Sequence, residues 1–219
     1  MLPPENGTTS WTTSAEDDES HWEKVQDLAR FKVPPGFRER SAALCQLWWI
    51  VQGTLFAASP QFAFAFRRFL LRLFGARIGR NALIRPSVRI TYPWKVSIGD
   101  RAWIGDHAEL YSLGRITIGN DAVISQLCYL CTGGHDPGLS DFPIFSKPIE
   151  IQAEAWLCAD VFVMPGITVG RGAVVGARSL VTADVPPMAM ARGHPASIVG
   201  VRKRSAKVPS VGDTRSARH

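Results

Sequence analysis

Few side chains in this 219-residue chain can do chemistry on their own. Four are cysteines, at positions 45, 128, 131 and 158. Cys128-x-x-Cys131 is a lone CxxC without a second pair, so it reads as two small core residues rather than a zinc site. His107, His135 and His194 lack the spacing of a three-histidine zinc centre, and no metal is expected. His135 differs from the others in its setting. It lies in residues 132–148, where Gly133, Gly134, Pro137, Gly138 and Pro143 predict a loop, and loops carry function more often than scaffolds do. An imidazole titrating near neutrality can take up a proton and return it within one reaction cycle.

That loop interrupts a repeat, and the repeat must position it. Beyond the loop, aliphatic residues stand on every sixth position, at Ile151, Leu157, Val163, Val169, Val175 and Val181. Before it the same period runs through Ile78, Ile84 and Ile90, then Ile98, Ile104 and Leu110, then Ile118, Ile124 and Leu130, with a two-residue slip between triplets. A sustained period of six is the signature of a hexapeptide parallel β-helix, in which three hexads make one triangular coil. About five coils are expected. Small residues recur four places after the aliphatic one (Ala102, Ala108, Ala122, Cys128, Ala155, Ala173, Ser179), as a tight prism corner requires. An amphipathic helix would need spacings of three and four instead. The predicted fold is all-β, with the prism over residues 76–187 and a helical extension before it.

The formal charge is +6, but residues 1–30 hold seven acids against Lys24 and Arg30, which leaves about +11 on the remainder. That excess suits a polyanionic ligand or an anionic surface; no nucleic-acid partner is expected. Residues 1–35 read as a mobile acidic segment and 36–75 as an apolar pre-prism segment. Residues 41–66 carry no charge, and three readings of them stand. Pro60, Gln46, Gln52 and Gln61 argue against a membrane span. A helix lying on a membrane, with Arg67, Arg68 and Arg72 toward lipid phosphates, is the second reading, giving peripheral association. The third, preferred, is a helix packed on the prism or a neighbouring subunit. Residues 188–219 form a C-terminal extension with a basic tail, disordered beyond Lys207. The apolar setting of the cysteines and the lack of a basic, then apolar, leader point to a cytoplasmic protein, which could work at the inner face of the membrane.

Several motifs together resemble the hexapeptide-repeat O-acetyltransferases, among them the galactoside, maltose and nodulation-factor enzymes. They are Gly134-His135-Asp136 in an excised loop, Ala155-Trp156-Leu157, Pro165-Gly166-Ile167-Thr168-Val169-Gly170, Val175-Gly176-Ala177, Asp184-Val185-Pro186-Pro187 and Gly193-His194-Pro195-Ala196. Within that family residues 69–79, 84–94 and 124–132 are most similar to the colanic-acid-type exopolysaccharide acetyltransferases. The resemblance implies a left-handed helix, a homotrimer with active sites between adjacent prisms, and acetyl-CoA as co-substrate. It implies that His135 takes the proton of a sugar hydroxyl attacking the thioester, with Asp136 either orienting the ring or capping the turn. Trp156, Ala159, Ala177, Thr182 and Ala183 would line the pantetheine arm, and Arg192 is a candidate for the CoA phosphates, with Arg178, Arg202 and Lys203 nearby.

Departures from the galactoside pattern bear on specificity. Ala183 stands where a lysine precedes the Asp-Ile-Pro-Pro turn, Gly105 where the family has asparagine, and Leu113 where it has the acceptor-binding aspartate. Trp103, Asp106 and Tyr111, with Asp136, are the acceptor-binding candidates. The expected function is acetylation of a sugar hydroxyl in exopolysaccharide or other surface-glycan biosynthesis. The alternatives are a xenobiotic or antibiotic O-acetyltransferase and a non-catalytic trimeric scaffold of a polysaccharide-synthesis complex.

Overall fold

The computed structural model describes residues 25–203. The acidic stretch before Val25 and the tail beyond Lys203, including the expected disorder past Lys207, lie outside the described residues. Strands of two or three residues stack in parallel on three faces. The first face carries Ile78, Ile98, Ile118, Ile151 and Val169; the second Ile84, Ile104, Ile124, Leu157 and Val175; the third Ile90, Leu110, Leu130, Val163 and Val181. These aliphatic side chains fill the prism in register. Five coils are complete, and a sixth begins where Val185 bridges Val169 and Ala191 pairs with Val175.

The corner chemistry explains the small residues. Asn81, Arg101, His107, Asp121, Leu127, Glu154, Asp160 and Arg178 take left-handed backbone angles, each three places after a core aliphatic. The next residue then turns inward with no room for a long side chain, and Ala82, Ala102, Ala108, Ala122, Cys128, Ala155, Val161 and Ser179 are all buried there. His107 is therefore a turn residue, its N–H bonded to Ser87 Oγ at 3.0 Å.

A β-helix ends in unpaired backbone groups, and an exposed row of these invites aggregation. Here the pre-prism segment covers them. Helix α1 (Ala42–Val51) is capped by Ser41 and runs into a wider turn at Gln52–Phe56; helix α2 (Phe64–Leu73) follows. Trp48 Nε1 donates to the Ile90 carbonyl at 2.7 Å, and Gln52 Oε1 accepts from the Ile90 N–H at 2.7 Å. Arg67 is fully buried, its guanidinium donating to Ile84 O, Ser59 Oγ, Pro60 O and Gln61 O at 2.6–2.8 Å. Desolvation lowers its pKa, and the nearby Arg85 works the same way. Trp48, Phe56, Leu70 and Leu71 join the prism core. Of the three readings of residues 41–66, the structure has the segment packed on the prism, and no helix among the described residues is long and apolar enough to cross a membrane.

At the other end Ala189–Gly193 and Ala196–Val201 form an antiparallel hairpin on the second face.

Candidate active site

The excised loop is a built element. Gly133–His135 pairs antiparallel with Ile144–Ser146, setting His135 opposite Ile144. A Cβ on Gly133 would lie 2.5 Å from Leu113 Cδ1, and one on Gly134 would lie 2.9 Å from Phe145 Cζ, so the glycines let the hairpin sit directly on its neighbours. Leu113 is buried, and its carbonyl accepts from Lys95 Nζ at 2.6 Å. Lys95 also reaches Phe37 O at 2.6 Å, tying the connector before α1 to the floor of the loop. Desolvation lowers the pKa of this lysine, against the opposing pull of Glu39.

The imidazole of His135 is held on two sides. Its Nδ1 lies 2.8 Å from the Phe142 carbonyl oxygen. A carbonyl can only accept, so Nδ1 carries a proton and, in the neutral ring, Nε2 offers its lone pair outward. The Phe142 ring stacks on the imidazole at 4.2 Å and 6°. Asp136 Oδ1 accepts from Gly138 N at 2.9 Å and caps the turn. Phe31 meets the imidazole at 5.6 Å and 56°, and Asp27 N donates to Ser140 O at 2.6 Å. The described end of the acidic segment thus borders the histidine. Sequence reasoning missed Phe142 and Phe31, because nothing in a phenylalanine beside Pro143 or one about forty-five positions before the prism signals contact with an imidazole.

On the second face, a cleft of about 850 Å³ is lined by Trp103, Trp156, Ser125, Leu127, Phe64 and Arg85 among others. Trp156 is exposed, and its Nε1 donates to Ser125 Oγ at 3.0 Å. Asp106 is at the cleft edge, where its two oxygens accept from Arg85 Nε and Ser87 Oγ at 2.8 Å each. Desolvation would raise the Asp106 pKa, but these bonds outweigh it and hold the carboxyl below the usual range. Tyr111 is elsewhere, on the third face, in an aromatic ladder with Tyr129 at 6.0 Å and then Phe162 at 5.0 Å. Burial raises the pKa of Tyr111 and pushes Tyr129 up to about 12, so both phenols remain donors. One chain therefore does not bring Trp103 and Tyr111 together. Gly105 has Gln126 N 2.5 Å from where a Cβ would stand, so no asparagine-like side chain can act from that position.

Comparison with known proteins settles the family. No protein-family model matches the chain. It is 56% identical over 178 residues to WcaF of Escherichia coli (strain K12), which carries the provisional name of a colanic acid biosynthesis acetyltransferase; the match covers 81% of this chain and 98% of that one. The chain belongs to the hexapeptide-repeat acetyltransferases. Its prism is accordingly the left-handed parallel β-helix of that family. The crystal structure of a hexapeptide-repeat acetyltransferase from Vibrio cholerae superposes with a TM-score of 0.68 at 26% identity, over 74% of this chain and 92% of that one. A galactoside acetyltransferase in complex with coenzyme A gives 0.68 at 26%, over 78% and 84%.

In this acetyltransferase Trp156, named for the pantetheine arm, stands in the cleft of the second face, and the other residues named for it fall on two edges of the prism. Ala159 and Ala177 lie one coil apart between the second and third faces, joined by Arg178 N donating to Ala159 O at 2.9 Å. Arg192 extends the same edge, exposed, and makes no side-chain hydrogen bond or ion pair among the described residues. The neighbouring arginines are engaged, Arg178 with Asp160 at 3.4 Å and Arg202 with the carbonyls of Glu154 and Gly172 at 3.0 and 3.2 Å. Thr182 and Ala183 are exposed on the edge between the third and first faces, the edge from which the His135 hairpin departs.

Proposed function

We propose that this acetyltransferase moves the acetyl group of acetyl-CoA to a sugar hydroxyl of a surface glycan, with His135 as the general base. The observation that carries the reading is the bond from His135 Nδ1 to the Phe142 carbonyl, because it fixes the tautomer whose Nε2 can take a proton. Nε2 removes the hydroxyl proton as that oxygen attacks the thioester carbonyl, and returns it to the departing CoA thiolate. Acetyl-CoA as donor is supported by a Vibrio cholerae relative solved with acetyl-CoA, which has a TM-score of 0.66 at 26% identity over 74% of this chain and 88% of that one. The glycan acceptor is supported by the colanic acid name of WcaF.

Apart from Trp156, the residues assigned to the donor lie on two edges of one prism, which supports a homotrimer in which one chain's hairpin faces its neighbour's Ala159–Ala177 edge. The small side chains of half-buried Ala159 and exposed Ala177 leave room for a pantetheine arm, and Arg192 is exposed for a CoA phosphate. Trp103 and Trp156 would contact the acceptor or the thioester end from the cleft. We place the enzyme in the cytoplasm, where acetyl-CoA is made and its cysteines stay reduced.

The test measures CoA release with a panel of sugar and non-sugar alcohols, for the wild type and His135→Ala. Loss of about 10²- to 10⁴-fold in kcat with an unchanged fold is expected. Equal rates would sink the role of His135, and transfer confined to non-sugar alcohols would favour a xenobiotic acceptor.

A further inference from the structure

The end caps of solenoid proteins ordinarily turn a polar face to water. This one does the reverse. Helix α2 buries a charged residue, Arg67, and exposes Phe66, Phe69 and Leu73, the last two at 58% and 66%. With Phe62, 82% exposed just before it, they recur at spacings of four, three and four, an apolar stripe along the helix side away from the prism. The preceding helix α1 is apolar except for Gln46, with Leu47 and Ile50 exposed at 50% and 62%.

The charge around this stripe is mainly positive, although Arg80 is paired with Asp100 at 3.2 Å and Arg85 with Asp106 at 2.8 Å. Between residues 40 and 100 there is no aspartate or glutamate, while seven arginines and a lysine occur. Among the described residues no carboxylate hydrogen-bonds to the arginines of the cap itself. Arg67 bonds carbonyls and the Ser59 hydroxyl, Arg68 the Ala82 carbonyl at 3.0 Å, and Arg72 the Ile78 carbonyl at 2.6 Å. Bonds to neutral groups fix these guanidinium groups in place without neutralising them.

We propose that the helical cap docks this acetyltransferase onto an anionic lipid bilayer. Exposed aromatic and aliphatic side chains enter the interface while Arg68 and Arg72, half-buried and exposed on the same helix and bonded only to carbonyls, supply positive charge beside them, the two components of reversible interfacial binding. Docking by the cap leaves the prism faces and the His135 hairpin beside the membrane, within reach of an acceptor carried on a lipid. The inference does not depend on the role of His135 or on the sugar.

The experiment sediments the full-length protein with vesicles of phosphatidylcholine alone or mixed with phosphatidylglycerol, at low and high salt. Binding to the mixed vesicles is expected to exceed that to pure phosphatidylcholine by about ten-fold or more and to fall with salt. Replacing Phe62, Phe66, Phe69 and Leu73 together by Ser should lower partitioning by at least about ten-fold, with oligomeric mass and acetyl-CoA binding retained. Phe62→Ser alone, at the most exposed position and outside the helix, gives a weaker loss of the same kind and serves if the quadruple variant does not fold. Wild-type protein that ignores phosphatidylglycerol, or Ser variants that bind like wild type, would overturn the proposal. So would a changed oligomeric mass in the quadruple variant, which would assign the stripe to contact between copies of the chain.

Discussion

Gly133→Ala tests whether the hairpin's seat on Leu113 sets the position of His135. The new methyl would stand 2.5 Å from Leu113 Cδ1 and 3.2 Å from its Cβ and Cγ. Carbon atoms settle at about 3.5–4.0 Å, so the hairpin and Leu113 must separate by about 1 Å. Leu113 is buried and its backbone is held by Lys95, so the hairpin yields more readily. A displacement of that size at a reacting group can cost about 10²-fold. In steady-state assays of CoA release we expect kcat to fall by about 10- to 100-fold, with KM for acetyl-CoA changed less, because the nearest atoms that the new methyl meets are all those of Leu113 and none belongs to a residue named for the donor. Leu113→Ala removes the atoms in the way, so the double variant should regain most of the lost kcat, although Leu113→Ala alone costs stability. Wild-type kcat in Gly133→Ala, or a double variant no faster than the single, would refute the argument.

Arg67→Ala should be among the most destabilising single changes in the cap, by about 3 kcal/mol or more, because it strands three carbonyls and a hydroxyl at the end of the prism. Arg67→Lys should not rescue it, since an ammonium cannot span partners arranged for a planar fork; urea titrations of the three proteins decide this. The Asp106 carboxyl, held below its ordinary value by Arg85 and Ser87, binds a proton less readily folded than unfolded. Its contribution to stability is therefore complete above about pH 4 and lost as pH falls further, and Asp106→Asn should flatten that acid limb of the urea midpoint against pH.

The prism was legible because each hexad repeats the same local problem. An aliphatic residue points inward and a small one turns the corner, so burial in one coil is printed in the sequence of that coil. The position of His135 in an excised loop was legible for the complementary reason, since a loop breaks the period. What holds the imidazole was not. Phe142 reaches it across a hairpin turn and Phe31 from before the prism, contacts that exist only once the chain has folded back on itself. Trp103 and Tyr111 belong to one coil, yet eight residues span more than one hexad and place them on different faces.

The sequence by itself determined the repeat, the family motifs and an uncharged stretch after Arg40; the fold decided what that stretch does. Its buried face carries the hydrogen bonds that the open end of a β-helix lacks, and an arginine goes inside because carbonyls there need a donor. Its outer face carries exposed Phe62 and Phe66, while Trp48 and Phe56 fill the prism end. Those orientations follow from closing one particular edge, which no local pattern encodes.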